Sequence, residues 1–437
     1  MPFEGEDLPH LRLTSTAAFA FVVGLCSVAA AQSVPATPAP KTAPSAIPAP
    51  AGSPTPAATA TPVPHVYQLS AFGDSAFAAV GGTDAVRFVS GAPSHIFDGG
   101  NGPFFDSNGG RLIAPANDFN HTVDVQNVNL QLLVNGAGRF GGKIETSFGT
   151  DADFLASNGQ PRNGFNITQA YAQYAAGPLT FVAGKLAGLA GYELAETTSN
   201  TNFSRDYLYG AVMSTVTGVR ATYAFNPKVS LIAGVNNGWD DWKFVGKKKT
   251  LEGSLALTPS PGYSLALTTY NGSDFLQTGL SGAGLSPIAP VFTNRMLYDG
   301  ILTVHATSAL TLVANYDNAT QLGSPQPGAQ SATGLGSQHW AGIAGYANYQ
   351  FNPKYALSLR KETYRDAQGF RTGAGVPLRL QTNTATISYT PTSNYIFRAE
   401  YRLDTSDGNN FTYRGADFTQ GRPKQSEFAI EAIVKAP

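Results

Sequence analysis

Cysteine, charge and long apolar runs are all scarce in this sequence. It has one Cys in 437 residues, at position 26, and Asp, Glu, Lys and Arg together make up 13%. A disulfide framework is therefore excluded, and so is a catalytic thiol if the segment that carries Cys26 is removed. After position 31 no apolar run approaches the roughly 18 residues that a membrane-spanning helix needs, so no such helix is predicted there.

An excess of basic residues and paired metal ligands are also missing. Lys and Arg number 28 against 29 Asp and Glu, and this balance gives no support for nucleic-acid binding. The six His are scattered without a pair at metal-ligand spacing, so neither a metal nor another cofactor is expected. The sequence therefore does not predict an enzyme.

Two N-terminal segments stand apart by their composition. Residues 17–31 form an apolar run that ends in three Ala, which is typical of a secretory signal peptide with cleavage after residue 31. Residues 32–65 are nearly all Pro, Ala, Thr and Ser, a composition that cannot bury a core. We expect a signal peptide at 1–31, a disordered linker at 32–65 and one folded domain at 66–437.

From about residue 67 onward, short stretches alternate between apolar and polar residues. In TGVRATYAF (217–225), Val219 and Tyr223 share one face and Arg220 lies on the other. IFRAEYRL (396–403) shows the same alternation. A period of two with one apolar face predicts half-buried β-strands.

Proline-centred and glycine-rich breaks separate these stretches. The tetrapeptide FNPK occurs at 225–228 and again at 351–354, between aromatic or apolar runs. Because proline cannot donate to a sheet ladder, these tetrapeptides are expected in tight turns between strands. Seven tight turns are predicted in total, at 135–139, 175–178, 225–228, within 255–267, at 307–310, 351–354 and within 387–402.

Long polar segments alternate with the tight turns. They are predicted at 79–122, 149–164, 186–215, 237–249, 271–295, 317–338, 363–379 and 404–425. Short connections at one end and long ones at the other are typical of an outer-membrane barrel. Seven hairpins, a first strand at 67–78 and a last strand at 426–435 make about sixteen strands, in a range of roughly 14 to 18. The predicted fold is an all-β, transmembrane, antiparallel up-and-down β-barrel.

Such a barrel is closed, because lipid cannot satisfy an open sheet edge, and it encloses a wide lumen. At about sixteen strands, side chains alone do not fill the interior, so a water-filled or partly plugged channel is expected. Parity places these charged residues on the lumen face as candidate pore-lining residues: Lys143, Glu145, Arg220, Glu252, Arg360, Glu362, Arg398, Glu400 and Arg402. These charges either create a transverse electric field at a constriction or line a wide, water-filled lumen with little effect on solutes. The sequence identifies no constriction loop that would decide between the two.

Six short motifs match one known family. They are QAY (169–171), AGK (183–185), GYE (191–193), NFSRDYLYG (202–210), TGVR (217–220) and NGWD (237–240). Together they resemble the OmpL-like β-barrel porin family of the outer membrane, most densely over 165–270. The resemblance implies an outer-membrane channel and indicates candidate rim residues near strand ends or external loops, which are Lys185, Tyr192, Glu193, Arg205, Trp239 and Asp240.

The predicted function is passive diffusion of small hydrophilic solutes or ions through a charged aqueous lumen in the bacterial outer membrane. Expected partners are the solute, membrane lipid and lipopolysaccharide. The KKK run at 247–249 is interpreted as a solvated loop run, with contact to lipopolysaccharide phosphates as the alternative. A homotrimer is compatible with a barrel of this size. One alternative is a structural or adhesive barrel whose lumen is blocked by 79–122. A barrel hydrolase that uses His305 and Ser308 is a weaker alternative, because no orienting residue is identifiable.

Overall fold

The computed structural model of the protein describes most of the chain beyond residue 65. Its described residues are 66–81, 122–135, 139–149, 151–152, 155–161, 163–244, 246–281, 286–323, 336–372, 377–408, 411–412 and 421–436. The expected signal peptide and linker at 1–65 lie outside these residues, as does nearly all of 79–122. Among the helices of the described residues, none has the length and apolar character needed to cross a membrane.

Sixteen antiparallel strands of the described chain form one closed barrel. The first nine are β1 (Val66–Gly81), β2 (Thr122–Asn135), β3 (Phe140–Phe148), β4 (Phe165–Ala176), β5 (Leu179–Ala187), β6 (Thr215–Asn226), β7 (Val229–Asn236), β8 (Thr250–Ser260) and β9 (Tyr263–Ser281). The others are β10 (Ser286–His305), β11 (Leu310–Gln321), β12 (Gln338–Asn352), β13 (Tyr355–Asp366), β14 (Leu378–Thr392), β15 (Tyr395–Ser406) and β18 (Lys424–Ala436). Two short strands, β16 (Phe411–Thr412) and β17 (Gly421–Arg422), pair separately with each other.

The barrel closes through β1, which pairs with β2 on one side and with β18 on the other. The register places Ala71 opposite Leu130 in the first pairing and opposite Ala436 in the second. Every other barrel strand lies beside its neighbours in the chain, with β15 next to β18. The predicted all-β up-and-down barrel of about sixteen strands is confirmed.

Six of the seven predicted tight turns join neighbouring barrel strands, and the seventh, at 135–139, lies mostly outside the described residues. The repeated FNPK corner has a local cause. Asn226 Oδ1 accepts a hydrogen bond from the backbone amide of Lys228 at 2.8 Å. Asn352 Oδ1 accepts the same bond from Lys354 at 2.9 Å. The Asn side chain thus closes the turn, and the proline between the two partners fixes the backbone angle φ. The tetrapeptide recurs because each residue has a defined part in the corner.

One predicted long connection, at 271–295, is wrong. β9 and β10 run through this stretch and are joined across 282–285. Their pairing continues to Ser286 opposite Ser281, with register shifts on either side of Val291. The stretch is rich in Gly, Ser and Thr, so its side chains do not alternate in polarity, whereas the backbone pairing that forms the strands does not require alternation.

The two faces of the barrel differ in polarity as in a membrane barrel. Outward side chains are large and apolar, and Phe140, Ile144 and Leu251 are 73%, 52% and 60% exposed. Their strand neighbours Glu145 and Glu252 point inward and are 2% and 5% exposed. An apolar exterior around a polar interior is the arrangement that a lipid solvent selects.

Aromatic side chains pair across strands beside the tight turns. The ring centroids of Phe140 and Tyr174 lie 4.9 Å apart, and those of Tyr355 and Tyr389 lie 4.8 Å apart. Arg139 Nη1 donates to the Tyr174 hydroxyl at 3.1 Å. Rings with an apolar body and a polar edge favour the membrane–water interface, so these pairs mark one boundary of the apolar band.

Candidate pore constriction

The connection between β5 and β6 lies inside the barrel. Its residues 188–214, called the inserted segment below, contain a 3-10 helix (Thr197–Ser199) and a short helix, α1 (Tyr207–Ala211). Phe203 and Tyr207 are 1% and 0% exposed. α1 contacts β12 and β13, which lie on the wall opposite β5 in a sixteen-stranded barrel. The inserted segment therefore crosses the lumen.

Local polar side chains shape the inserted segment. Asn200 Oδ1 accepts from the backbone amide of Leu194 at 2.8 Å, while Asn200 Nδ2 donates to the carbonyl of Leu194 at 2.8 Å. Asp206 stands at the N-cap of α1 and accepts from the amide of Tyr209 at 2.7 Å. These bonds satisfy backbone groups that would otherwise be buried without partners.

Glu400 of β15 binds the backbone of the inserted segment with both carboxylate oxygens. Oε2 accepts from the amide of Phe203 at 2.7 Å, and Oε1 accepts from the amide of Ser204 at 3.0 Å. Beside it, Asn202 Nδ2 donates to Thr386 Oγ1 at 2.6 Å. A buried carboxylate that accepts hydrogen bonds from two backbone amides makes charge-assisted bonds. These bonds hold the inserted segment in one place.

Glu362 of β13 repeats this arrangement at the start of α1. Its two oxygens accept from the amides of Tyr207 and Leu208, both at 2.9 Å. These are amides of the first turn of the helix, which have no partner within the helix itself. The Tyr346 hydroxyl donates to the carboxylate of Asp206, the N-cap residue. The wall of the barrel therefore caps this helix from outside.

Arg360 of β13 binds both a side chain and the backbone of the inserted segment. Its Nη1 lies 2.6 Å from Glu193 Oε1 and donates to the carbonyl of Ser204 at 2.7 Å. Its Nη2 donates to Ser204 Oγ at 2.9 Å. Burial raises the pKa of Glu193 to about 7, although the charge of Arg360 opposes this rise.

Two arginines of β15 bind carbonyl groups of the same segment. Arg398 Nη2 donates to the carbonyl of Asn200 at 2.5 Å, and its Nη1 pairs with Glu431 at 2.8 Å. Arg402 Nη1 donates to the carbonyl of Arg205 at 2.6 Å. Arginine suits this task because its rigid, fully charged fork offers several donors at once.

The C-terminal end of α1 is held by an indole and a guanidinium. Trp340 Nε1 donates to the carbonyl of Ala211 at 3.1 Å. Arg371, in the connection between β13 and β14, donates to the carbonyl of Gly210 through Nε at 3.0 Å and Nη2 at 2.8 Å. These donors satisfy carbonyls at the end of the helix and complement its dipole.

Gly342 gives the inserted segment room to approach β12. A Cβ atom at this position would lie 2.5 Å from Leu208 Cδ2 and 3.0 Å from the carbonyl oxygen of Thr363. A side chain at this position would therefore require Leu208 of α1 to shift from its present contact with the wall.

The other candidate pore-lining residues pair with one another along the wall. Lys143 Nζ lies 2.6 Å from Glu145 Oε2, and Arg220 Nε lies 2.5 Å from Glu252 Oε1. The Lys143 side chain is 16% exposed, whereas that of Arg360 is 0% exposed. All nine predicted residues therefore lie on the inward face, but five of them bind the inserted segment.

The candidate rim residues Tyr192, Glu193 and Arg205 lie within the inserted segment, inside the barrel and not at its edge. Tyr192 packs on Tyr346 with ring centroids 4.7 Å apart. Its amide donates to Asn315 Oδ1 of β11 at 2.9 Å. No local pattern in the sequence indicates this contact, because its two partners lie more than a hundred positions apart.

Lys185 and Asp240 hold neighbouring connections together, and Asp240 also binds the end of the inserted segment. Lys185 Nζ, at the end of β5, donates to Gln160 Oε1 and to the carbonyl of Ile167, both at 2.7 Å. Asp240 Oδ1 accepts from the amides of Ser214 and Thr215 at 2.9 and 2.8 Å. Burial raises the pKa of Asp240 to about 6, opposed by these two amide bonds.

Trp239 belongs to a buried cluster of aromatic and guanidinium groups. The guanidinium of Arg295 lies 4.7 Å from the ring centroid of Trp239, and that of Arg371 lies 5.4 Å from it. The rings of Trp239 and Trp340 meet edge to face at 6.0 Å. Parity in β12 would have placed Trp340 on the inward face with Tyr346, but nothing in the sequence indicates their contact with this connection.

The residues of the weaker alternatives show no assembled chemistry. His305 lies at the turn between β10 and β11, where its Nδ1 is 3.0 Å from Thr311 Oγ1. Ser308 is exposed in the same turn. Within the part of the chain that the structure describes, no three His, Cys, Asp or Glu residues are placed to hold a metal ion. The occluding segment proposed at 79–122 falls almost wholly outside the described residues.

Comparison with known proteins places this architecture in one family. A family model described as "Putative beta-barrel porin-2, OmpL-like" matches residues 100–435. No curated protein sequence matches the chain.

Solved outer-membrane structures share the fold at low sequence identity. OmpT of Vibrio cholerae, described as a trimer form, has a TM-score of 0.53 and 12% identity, covering 86% of this chain and 100% of OmpT. An anion-selective porin from Comamonas acidovorans has a TM-score of 0.51 and 9% identity, covering 85% of this chain and 100% of that chain. At these identities the likeness shows a common barrel fold.

Proposed function

The chain belongs to the OmpL-like family of β-barrel porins of the bacterial outer membrane, and we propose that it lets small hydrophilic solutes or ions diffuse past its inserted segment. The flow is passive and follows the concentration gradient. The inward face supplies the polar lining that such solutes need, and the inserted segment narrows the path across the lumen.

The observation that carries this proposal is the way in which the wall holds the inserted segment. Arg360 and Glu362 of β13 and Arg398, Glu400 and Arg402 of β15 bind it by bonds of 2.5 to 3.0 Å. A segment fixed at this many points sets a constant cross-section, as a size-limiting channel requires. Solutes then pass between the segment and the part of the wall that does not bind it.

The strands β2 to β4 form a part of the wall that can border such a path. Lys143 and Gln131 on these strands are only partly buried, and both belong to the inward face. Gln169 Nε2 donates to Glu145 Oε2 at 2.6 Å, so the lining here is polar and internally paired. Paired charges offer dipoles to a passing solute without holding a counter-ion tightly.

A second candidate function is an occluded barrel, with a structural or adhesive role. It is favoured by the burial of the inward charges, since Arg402 and Asp404 have fully buried side chains. In this case the inserted segment, and not only 79–122, closes the lumen.

Planar bilayer recording on the purified full chain separates the two candidates. A diffusion channel gives discrete conductance steps, and replacing 196–205 by a short Gly-Ser linker enlarges those steps. An occluded barrel gives no steps in the parent protein and gains them in the linker variant. The channel proposal is abandoned if neither protein conducts while both migrate on gels as folded, heat-modifiable barrels.

The assembly proposed for this channel is a homotrimer, as described for the OmpT structure. Light scattering of the detergent-solubilised chain, combined with the mass of the bound detergent, measures the number of copies. A monomeric mass under conditions that preserve conductance would contradict this part of the proposal.

A further inference from the structure

Acidic groups of the barrel strands are confined to the inward face. Every strand Asp and Glu whose side chain is described is buried, and none is more than 7% exposed. They are Glu145, Glu252, Asp274, Asp299, Asp317, Glu362, Asp366, Glu400, Asp404, Glu427 and Glu431. Among the strand residues whose side chains are described, no carboxylate therefore lies on the lipid-facing surface.

Basic groups are not confined to the inward face in the same way, because four cations lie on the outward face. Lys361 and Arg365 of β13, Arg379 of β14 and Lys424 of β18 are all exposed. Their strand neighbours, such as Glu362, are buried inside, so parity fixes the outward direction of these four side chains. We call these four residues the basic patch.

Strand pairing brings the members of the basic patch together. Arg365 lies directly opposite Arg379 in the β13–β14 register. Lys424 lies opposite Thr405, which is itself opposite Gln381 of β14. Two like charges directly opposite each other destabilise a sheet unless an anion lies between them. The patch thus spans four adjacent strands, and none of its members forms an ion pair among the described residues.

No acidic side chain of the described residues neutralises the basic patch. None of its four members forms an ion pair within the described part of the chain. Asp407, just after β15, accepts a hydrogen bond from the backbone amide of Arg379 at 3.1 Å and so is engaged at the strand end. Among the described residues no side chain supplies the anion that the geometry calls for, and this favours an anion from another molecule.

The position of the basic patch along the strands indicates where that anion lies. Arg365 and Arg379 lie beside the long connection between β13 and β14, and Lys424 begins the last strand after another long connection. In outer-membrane barrels the long connections are extracellular. Lys361 lies deeper, where its aliphatic stem can run along the apolar band while its ammonium group extends toward the boundary.

We propose that the basic patch binds the phosphate groups of a phosphorylated glycolipid of the outer leaflet, of the lipid A type. Guanidinium groups bind phosphate in a bidentate manner, and two of them face each other at Arg365 and Arg379. The polar side chains of Gln381 and Asn383 lie on the same outward face, within reach of sugar hydroxyl groups. This inference rests on the outer-membrane location of the barrel and not on whether its lumen conducts.

A second copy of the chain is the less suitable occupant of this surface. A contact between copies would have to offer acidic groups to the basic patch, and the outward face of the described strands has none. A phosphorylated lipid supplies the missing charge from the layer that the barrel itself occupies. The copy–copy contact is therefore an outcome of the test and not the proposal.

The test compares two charge-matched triple variants of the full chain. The patch variant carries Arg365→Gln, Arg379→Gln and Lys424→Gln. The control carries Lys228→Gln, Lys243→Gln and Lys354→Gln, which remove three exposed charges from connections outside the basic patch and outside the KKK run at 247–249. Removing charge from a lipid-facing position is not expected to impair folding, and heat-modifiable migration verifies this for each protein.

Each protein is titrated in detergent with bis-phosphorylated lipid A, and bound lipid is counted by native mass spectrometry. We expect the patch variant to bind about tenfold more weakly than the parent, and the control to bind like the parent. Lys361→Gln alone is expected to give a smaller loss in the same direction. Dephosphorylated lipid A, phosphatidylglycerol and inorganic phosphate should each bind weakly to the parent.

Three results would overturn the proposal. Equal lipid A binding by the patch variant and the parent removes the patch from the site. Equal binding of phosphatidylglycerol and lipid A by the parent shows that the surface does not select a glycolipid. Loss of oligomers with unchanged lipid A binding assigns the patch to a contact between copies. Bilayer conductance, measured on the same preparations, separates each of these results from a failure of the channel function.

Discussion

Arg360 of β13 and Glu193 of the inserted segment form a buried ion pair, with Nη1 and Oε1 2.6 Å apart. The two residues are 167 positions apart in the chain. The pair joins the wall of the barrel to the segment that crosses its lumen. Its strength therefore decides how firmly the constriction is held.

Replacing Glu193 by Gln should loosen the inserted segment. Removal of one partner leaves the Arg360 charge buried and only partly compensated, at a cost of about 3 kcal/mol. We expect faster proteolysis within 188–214 and larger, noisier conductance steps.

Glu252→Gln provides the matched control for this change. It breaks an equally buried wall pair, with Arg220, on strands that do not hold the inserted segment. The stability of the barrel should fall by a similar amount, while proteolysis within 188–214 stays at the rate of the parent. If both variants expose the segment equally, the ion pair with Arg360 has no special part in holding it.

Gly342→Val should displace α1 from its place on β12. The first added carbon would lie 2.5 Å from Leu208 Cδ2 of α1 and 3.0 Å from the carbonyl oxygen of Thr363, so the Leu208 side chain has to move away from the wall. Gly345→Val, three positions later on the outward face, places its Cβ no closer than 4.0 Å to any neighbour and serves as the control. We expect a drop of several degrees in the unfolding temperature and an altered conductance for the first variant only. Identical behaviour of the two variants would show that α1 does not pack here.

Lys143→Gln should shift the ion preference toward cations. The change leaves the carboxylate of Glu145 without its cationic partner, in a part of the wall where the Lys143 side chain is 16% exposed. A net negative charge at the lining attracts cations, so we expect the cation-to-anion permeability ratio to rise by roughly twofold. Reversal potentials in a salt gradient measure this, with Lys143→Arg as the charge-preserving control. Unchanged potentials would place the path elsewhere.

The contact between residues 155–160 and 238–242 should weaken as the pH rises. Burial, together with the charge of Asp274, raises the pKa of Asp241 to about 8, while Asn158 and Arg295 oppose the rise. A carboxyl group has a pKa of about 4 in an unfolded chain, so the folded contact binds its proton more tightly. The stabilisation is complete below about pH 4 and is lost as the pH rises through 8.

Hydrogen exchange at two amides reports on this contact. The amide of Asn158 donates to the carbonyl of Asp240 at 2.7 Å, and the amide of Trp242 donates to the carbonyl of Asn158 at 3.1 Å. After correction for the intrinsic rate, protection of both should fall by up to about a thousandfold between pH 5 and 9, because the folded contact holds the proton up to about pH 8. In Asp241→Asn the fall should disappear. A fall of the same size in that variant would assign the pH dependence to another group.

The barrel was predictable because its signals are local. The FNPK corners depend on Asn226 and Asn352, each of which bonds within its own tetrapeptide. The inward positions of Glu362 and Glu400 follow from the period of two in their strands. Backbone pairing then carries these local features into a sheet, which lipid requires to be closed.

The constriction was not predictable because its contacts are distant in the chain. Residues 188–214 have no period of two, and their amides bind Glu362 and Glu400 from 154 to 197 positions away. Charged side chains on the inward face can either line a water-filled lumen or bind a loop, and the sequence does not distinguish these two roles. Candidate rim residues such as Glu193 were therefore expected at the edge but lie inside.

The pairing of β1 with β18 bears on the order in which the chain assembles. Ala71 and Ala436 meet in this seam, so the two edges that must join come from opposite ends of the folded domain. Every hairpin can form between neighbours as soon as both strands are made, but the cylinder cannot shut before its last strand arrives. Until then the two strand edges of the seam are unpaired and need a temporary partner. The seam is therefore where an insertion factor would bind, and the last place from which it would be released.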